Sequence, residues 1–207
     1  MLLILATRYD AVTARTLAVA QSLREAGWAA SLQVTALFEA DATEDSLRHE
    51  LDRSFRVVAF YTHGDQNGRL LGQDGLPLWS DDSVPDVHLG ALVAHACRAM
   101  LTLDEQFETL HAGIVVGYRS DLKLPPDGNA HFWDLYGRLH VLFPLRLAQG
   151  CRASDILNEF QRFGTEAFEQ LDRQGGSLIE LIALQQSRIE LVVRTRSEPR
   201  EVGGPTE

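Results

Sequence analysis

The chain has 207 residues, 45% of them hydrophobic and 23% charged, a composition that excludes collagen-like, disulfide-scaffold and largely disordered proteins. Its 19 Lys and Arg against 29 Asp and Glu give a net charge of −10, which disfavours binding to nucleic-acid phosphates or anionic lipid and slightly favours basic ligands. The length favours one domain with a sizeable core, and no apolar run reaches the roughly 18 residues of a membrane-spanning helix.

The N-terminal residues predict a buried strand followed by a capped helix. Residues 2–6 are continuously apolar, as in a strand covered on both faces, and no basic leader precedes them. Asp10 is positioned to cap a helix with an apolar face, which we expect Gly27 to end. Because the chain has only two cysteines and no export signal, we expect a cytoplasmic protein with free thiols.

The middle of the chain alternates between strand and helix patterns. In chain order it predicts a strand over 28–35, a helix within 43–53, and strands over 56–61, 91–95 and 112–117. The apolar runs on either side of Asp74-Gly75 predict a hairpin insertion after the third strand.

The C-terminal part of the chain is predicted to be mainly helical. We expect helices at about 129–141 and 153–173, whereas the periodicity of residues 178–194 fits either a strand or a helix. Residues 197–207 predict a flexible tail, which leaves residues 1–196 as a single domain. The whole pattern predicts an α/β fold, a three-layer α/β/α sandwich around a mostly parallel sheet.

Two residues that can carry chemistry follow predicted strands. His63 follows the third strand and Cys97 follows the fourth, and the carboxyl ends of parallel strands are where ligands collect. An imidazole that takes the thiol proton allows the thiolate to attack a carbonyl, and the N–H groups of Gly64 and Cys97 could form an oxyanion hole. The alternative is a buried structural cysteine and a loop histidine.

The residues around this pair resemble a known family. Residues 61–65 (YTHGD) and 91–99 (ALVAHACRA) resemble the caspase-like cysteine peptidases, and within that clan the CHAT domains, relatives of caspases, gingipains and separase. The resemblance runs from about residue 55 to about residue 172. It implies a caspase-like sheet and a cysteine endopeptidase with Cys97 as nucleophile, His63 as general base and acid, and no cofactor.

His95 and Cys151 depart from the family pattern. His95 stands where CHAT sequences often have Asn, and it could be a second imidazole near the thiol, a partner that sets the tautomer, or a core histidine. A zinc site of His63, His95 and Cys97 lacks a fourth ligand at a recognisable spacing. Cys151, which follows Gly150 at the start of a helix, is expected to be structural.

Charged and polar residues near the two candidates could select the substrate. They are Asp65, Tyr118, Arg119, Ser120 and Asp121, with Asp127 as a further candidate. Within the clan, an acidic pocket selects a basic residue before the scissile bond and a basic pocket selects an acidic one. Both signs occur here, and only the net acidity slightly favours basic substrates.

The partners expected from this interpretation are a protein or peptide substrate and an activating partner, as in bacterial defence or programmed-death systems. The alternative is a catalytically silent scaffold that binds proteins through Trp79, Trp133 and Tyr136. A flavodoxin-like phosphate binder is disfavoured because residues 7–10 (TRYD) are not a glycine-rich loop.

Overall fold

A six-stranded, mostly parallel β-sheet organises the protein, in a computed structural model that describes residues 1–78 and 89–196. The strands are β1 (Leu2–Ala6), β2 (Val34–Phe38), β3 (Val57–Tyr61), β4 (Ala91–His95), β5 (Ile114–Tyr118) and β6 (Leu191–Thr195). Their order is β2-β1-β3-β4-β5-β6, and only β6 is antiparallel to its neighbour within the described chain.

Helices cover both faces of this sheet. They are α1 (Ala11–Ala29), α2 (Glu44–Leu51), α3 (Ala99–Glu105), α4 (Ala130–Ala148), α5 (Ala153–Arg173) and α6 (Leu178–Ile189), with a 3₁₀ turn at Glu39–Asp41. Successive side chains of β1 point to opposite faces, so Leu2 and Ile4 join a core with α1 and α4. Leu3 and Leu5 join a second core with α2 and α3. The fold is α/β, as predicted.

The start of α1 is confirmed as a capped N-terminus. The Asp10 carboxylate accepts a hydrogen bond from the N–H of Thr13, and the Thr13 hydroxyl accepts one from the N–H of Asp10, which forms a capping box. Thr43 likewise caps α2. These caps satisfy N–H groups that have no acceptor within the helix.

The predicted end of α1 and the predicted strand over 28–35 are wrong. Helix α1 continues through Gly27 to Ala29, and β2 starts only at Val34. A Cβ on Gly27 would lie 2.8 Å from the Val34 side chain, so the glycine lets the helix pack closely against β2. The apolar Trp28 is 55% exposed, with the Arg24 guanidinium 4.9 Å from its ring centroid.

The remaining elements agree with the prediction to different degrees. Strands β1, β3 and β4 and helix α5 lie within one residue of their predicted bounds. Helix α4 continues beyond the predicted end to Ala148, across Pro144. Residues 178–194, for which helix and strand both remained open, contain α6 followed by β6.

The insertion after β3 pairs with itself as a hairpin does. Gly64 bridges Leu70 and Leu71 bridges Pro77, both antiparallel, and Gly75 takes a φ of +77° in the turn. Trp79 and the predicted tail over 197–207 lie outside the described residues.

The prediction that Trp133 and Tyr136 form a protein-binding face is wrong. Trp133 is 8% exposed and Tyr136 is fully buried, because both pack into the core that α4 forms with α1 and the sheet. Along the described chain, no helix combines the length and the apolar composition that crossing a lipid bilayer requires.

Candidate functional site

A cleft at the carboxyl edge of the sheet contains both residues that the sequence singled out. We call it the Cys97 cleft, and its volume is about 160 Å³. Its lining residues come from the start of α1, from the ends of β3 and β4, and from the loop after β5: Val12, Thr13, Thr16, Thr62, His63, His95, Ala96, Cys97, Leu122 and Leu124. A larger groove of about 330 Å³ between α1 and α4 contains no cysteine or histidine among its described lining residues.

Strand pairing brings His63 and Cys97 to this cleft. Strands β3 and β4 are parallel neighbours with Tyr61 beside His95, so the chain leaves both strands at the same edge. The two exit segments are in close contact, because a Cβ on Gly64 would overlap the carbonyl oxygen of Cys97. Only glycine therefore permits this packing of the segment after His63 on the Cys97 backbone.

The Cys97 thiol is half-buried and is held in its protonated form. Its Sγ accepts a hydrogen bond from the N–H of Leu122 at 3.3 Å. Burial raises the pKa of the thiol and the Asp121 carboxylate raises it further, which outweighs the lowering by the Leu122 N–H and by Arg98. Cys97 therefore needs a base to become a nucleophile at neutral pH.

His63 has a carboxylate partner that the sequence did not indicate. Its Nε2 lies 3.2 Å from Oδ2 of Asp10, and its ring stacks on Tyr9 with centroids 5.5 Å apart. The N–H of Thr13 lowers the pKa of Asp10, burial opposes this, and His63 lowers the pKa further. A charged Asp10 can orient the imidazole.

This geometry leaves the other histidine nitrogen free to act. Nδ1 of His63 makes no hydrogen bond to any described residue, and His63 and Cys97 are not hydrogen-bonded to each other in this part of the chain. The N–H groups of Gly64 and Cys97 have no backbone acceptor in the described segments. An imidazole with one nitrogen free and a thiol thus line one cleft, whereas Gly64 is not among the described lining residues.

His95 is a core histidine on the cleft wall. Its Nε2 lies 2.6 Å from the Tyr136 hydroxyl and its ring centroid is 4.3 Å from that of His140. Burial lowers the pKa of His95 to about 4, so the imidazole is neutral near pH 7. Of the three roles that the sequence leaves open for His95, this environment fits that of a core histidine. Within residues 1–78 and 89–196, no group of three or more His, Cys, Asp or Glu side chains is arranged to hold a metal ion.

Three of the predicted substrate-selecting residues are paired with charges outside the Cys97 cleft. Each pairs with a guanidinium or a carboxylate on a neighbouring segment, namely Asp65 with Arg69 at 2.7 Å, Arg119 with Asp104 at 2.6 Å, and Asp121 with Arg98 at 2.7 Å. The carboxylates of Asp65 and Asp121 and the guanidinium of Arg119 therefore already have a counter-charge within the protein.

The other predicted residues also lie apart from the lining. Tyr118 is buried against His140, the Ser120 carbonyl accepts the N–H of Arg98, and Asp127 is exposed on the loop before α4. Cys151 is half-buried between α4 and α5, where it packs against the core.

No sequence signal identifies the residues that line the cleft in place of these candidates. Val12, Thr13 and Thr16 belong to α1, whose pattern indicates only a helix packed on a core. Leu122 and Leu124 lie in a loop without any motif. Their proximity to Cys97 is a property of the tertiary structure.

The chain matches no family model, and no curated protein is significantly similar to it.

Proposed function

We propose that this protein is a cysteine endopeptidase of the caspase-like, CHAT type. The observation that carries the proposal is that a thiol and an imidazole, from the ends of neighbouring parallel strands, line one cleft. The resemblance of residues 61–65 and 91–99 to that clan supports the same reaction. The mostly parallel sheet with helices on both faces is compatible with a caspase-like architecture.

The reaction begins when a peptide carbonyl enters the cleft. Nδ1 of His63 takes the thiol proton and Sγ of Cys97 bonds to the carbonyl carbon, whose oxygen becomes an oxyanion held by the N–H groups of Gly64 and Cys97. The His63 imidazolium then gives its proton to the leaving nitrogen as the C–N bond breaks. A thioester on Cys97 and a free amine result.

The second half of the reaction returns the enzyme to its starting state. His63 takes a proton from a water molecule, and the resulting hydroxide attacks the thioester carbon. The C–S bond breaks, the acid product leaves, and the Cys97 thiolate takes the proton back from His63. Asp10 is a positioning residue in both halves, because its carboxylate contacts Nε2 and keeps Nδ1 directed to the reaction.

The clan resemblance leads us to propose an activating partner as well, in a bacterial defence or cell-death pathway. In the resting geometry the thiol remains protonated and His63 is not hydrogen-bonded to it among the described residues. Binding of the substrate would have to bring the two side chains within hydrogen-bonding distance, and a partner would accelerate the reaction by favouring that geometry.

A catalytically silent scaffold is the second candidate. The observation that favours it is the same missing hydrogen bond between Cys97 and His63 among the described residues. A silent scaffold, however, has no chemical reason to retain both a thiol and an imidazole on one cleft.

Digestion of a diverse peptide library, read by mass spectrometry, tests the proposal. We expect cleavage by the wild type and by Cys151→Ala, which removes the other half-buried thiol. We expect none by Cys97→Ala or His63→Ala. Cleavage that survives Cys97→Ala contradicts the peptidase assignment, and equal inactivity of all four proteins favours the scaffold.

A further inference from the structure

No Asp, Glu, Lys or Arg is among the described residues that line the Cys97 cleft. Val12 and the pair Leu122 and Leu124 are aliphatic. Nearby, Asp121 and Arg98 are paired with each other at 2.7 Å, and the Asp10 carboxylate contacts the Thr13 N–H and His63; none of the three is part of the described lining. A charged substrate side chain would find no counter-ion on these walls.

The threonine hydroxyls of the cleft are already used within the protein. The Thr13 hydroxyl donates to Asp10 and the Thr16 hydroxyl donates to the carbonyl of Thr13 at 3.1 Å. The Thr62 hydroxyl donates to the carbonyl of Leu71. None of the three has its proton free for a ligand, so these residues offer a bound side chain mainly apolar contact.

His95, the other polar residue of the lining, is similarly engaged. Its Nε2 is bonded to the Tyr136 hydroxyl, and the ring is buried in the aromatic cluster behind the cleft. Among the described lining side chains, Cys97 and His63 are therefore the ones with a hydrogen-bond donor left for a polar ligand, and the proposed reaction occupies them.

The size of the cleft suits one side chain. Its volume of about 160 Å³ is below the range of about 300–1,000 Å³ for small-molecule sites. It is close to that of a cavity of about 150 Å³ that admits benzene. A side chain of three or four aliphatic carbons fits such a space.

We infer that the Cys97 cleft is the pocket for the residue before the scissile bond and that it selects an uncharged aliphatic side chain, such as valine or leucine. This inference rests on the proposed peptidase function. It assigns specificity to Val12, Thr16, Leu122 and Leu124. The net charge of −10 then has no bearing on cleavage-site choice, because no Asp or Glu is among the described residues that line the cleft.

A panel of N-acetyl amino-acid acyloxymethyl ketones tests this selectivity. Such probes alkylate an active-site thiol with loss of the carboxylate, and intact-mass spectrometry counts the adduct. We expect the valine and leucine probes to label Cys97 at least about tenfold faster than the arginine and aspartate probes, the scale of hydrophobic-pocket discrimination. Cys97→Ala identifies any labelling of Cys151.

Two substitutions at one position change the expected preference in opposite ways. Leu124→Asp puts a carboxylate into the lining, so the arginine probe should gain about tenfold relative to leucine. Leu124→Ala enlarges the pocket, so a phenylalanine probe should gain instead. Leu178→Asp, on a leucine that is 74% exposed on α6, is the matched control and should leave the profile unchanged.

The outcomes separate the inference from the proposed function. Faster labelling of wild-type Cys97 by the arginine or aspartate probe, or equal rates for all probes, overturns the aliphatic pocket and leaves the peptidase intact. An unchanged profile in both Leu124 variants likewise shows that another surface selects the substrate. Failure of every probe to label wild-type Cys97 contradicts the peptidase itself.

Discussion

The two carboxylate oxygens of Asp10 make two different contacts, one with the start of α1 and one with His63. Oδ1 accepts the N–H of Thr13 and caps α1, whereas Oδ2 contacts Nε2 of His63. Because the two contacts use different atoms, substitutions can remove one role and keep the other.

Asp10→Asn should lower kcat/KM at least about tenfold, because asparagine still caps a helix but loses the negative charge that orients His63. Asp10→Ala should show the same loss and also cost about 1 kcal/mol of unfolding free energy. Steady-state kinetics and urea unfolding measure the two effects. Thr43→Ala, which removes only the cap of α2, should lower stability without changing kcat/KM. Wild-type kinetics in Asp10→Asn would contradict the positioning role.

Gly64 should tolerate no side chain. In Gly64→Ala the new Cβ overlaps the Cys97 carbonyl, so the segment carrying His63 must move, and we expect lost cleavage and a destabilisation of about 1–3 kcal/mol. Gly137→Ala is the matched control in α4, where a Cβ would meet Val19 at an ordinary 3.6 Å. Higher helix propensity should there stabilise the protein by up to about 1 kcal/mol. Equal thermal midpoints for the two variants would contradict the close approach.

The sequence predicts that His63 and Cys97 share one site, but it does not predict the residues around them. His63 and Cys97 could be predicted because each directly follows an apolar strand, and parallel neighbours expose their carboxyl ends at one edge. The contact of Asp10 with His63 spans 53 positions, and it depends on how α1 leaves β1. No local pattern encodes that angle, and the same holds for the aliphatic lining.

At the scale of elements, Glu180 joins the starts of two helices. Its carboxylate, 4% exposed, accepts hydrogen bonds from the N–H of Asn129 at 2.6 Å and from that of Ser177 at 2.8 Å. Asn129 and Ser177 are the N-cap residues of α4 and α6. Burial raises the pKa of Glu180, but these N–H donors outweigh it and the net pKa is lowered.

Glu180→Gln should lower the unfolding free energy by about 1–3 kcal/mol, because an amide cannot accept hydrogen bonds on both sides. The charged carboxylate stabilises the fold fully above its ordinary pKa of 4.5, and this advantage is lost as the pH falls from 4.5 through the lowered pKa of the folded state. Urea unfolding at pH 7 and pH 3 measures the stability loss and its dependence on pH. Glu166→Gln, at an exposed position on α5, is the control and should change neither quantity. A stability loss in Glu180→Gln that is as large at pH 3 as at pH 7 would contradict the stabilising role of the charged Glu180 carboxylate.

The boundaries of elements were predicted best where burial is complete. Strands β1, β3 and β4 are buried along their whole length, so their apolar runs identify them. Strand β2, at an edge of the sheet, is only half-buried, and its alternating pattern extends into the last residues of α1, so it predicts a strand that starts too early. Tertiary packing of Gly27 against Val34 decided that boundary, and helix propensity alone predicts the opposite.

At the scale of the molecule, buried neutral histidines should make the fold sensitive to mild acid. Burial lowers the pKa of His95 from 6.5 to about 4 and lowers that of His140 well below its usual value, where the neighbouring His95 contributes. The unfolded chain therefore takes up protons below about pH 6.5 that the folded chain refuses. Above pH 6.5 the two buried histidines do not lower the free energy of unfolding, which declines as the pH falls from 6.5 towards 4.

The lowered pKa of His95 alone should reduce the free energy of unfolding by about 3 kcal/mol between pH 6.5 and pH 4, because each pKa unit corresponds to about 1.36 kcal/mol. Urea midpoints measured from pH 7 to pH 4 test this. His95→Phe should reduce the slope because phenylalanine does not titrate, whereas His49→Gln, on the exposed side of α2, should leave it unchanged. A wild-type midpoint that is constant between pH 6.5 and 4 would contradict the buried neutral state.

A covalent acyl-enzyme on Cys97 would be the clearest evidence of the proposed thiol mechanism. The protein is mixed with an N-acetyl-valine p-nitrophenyl ester, quenched in acid within seconds and measured by intact-mass and peptide-mapping spectrometry. We expect one acetyl-valyl increment on Cys97, retained in Cys151→Ala, absent in Cys97→Ala and formed about a hundredfold more slowly in His63→Ala. An increment divided equally between Cys97 and Cys151, or formed at the wild-type rate in His63→Ala, would contradict it.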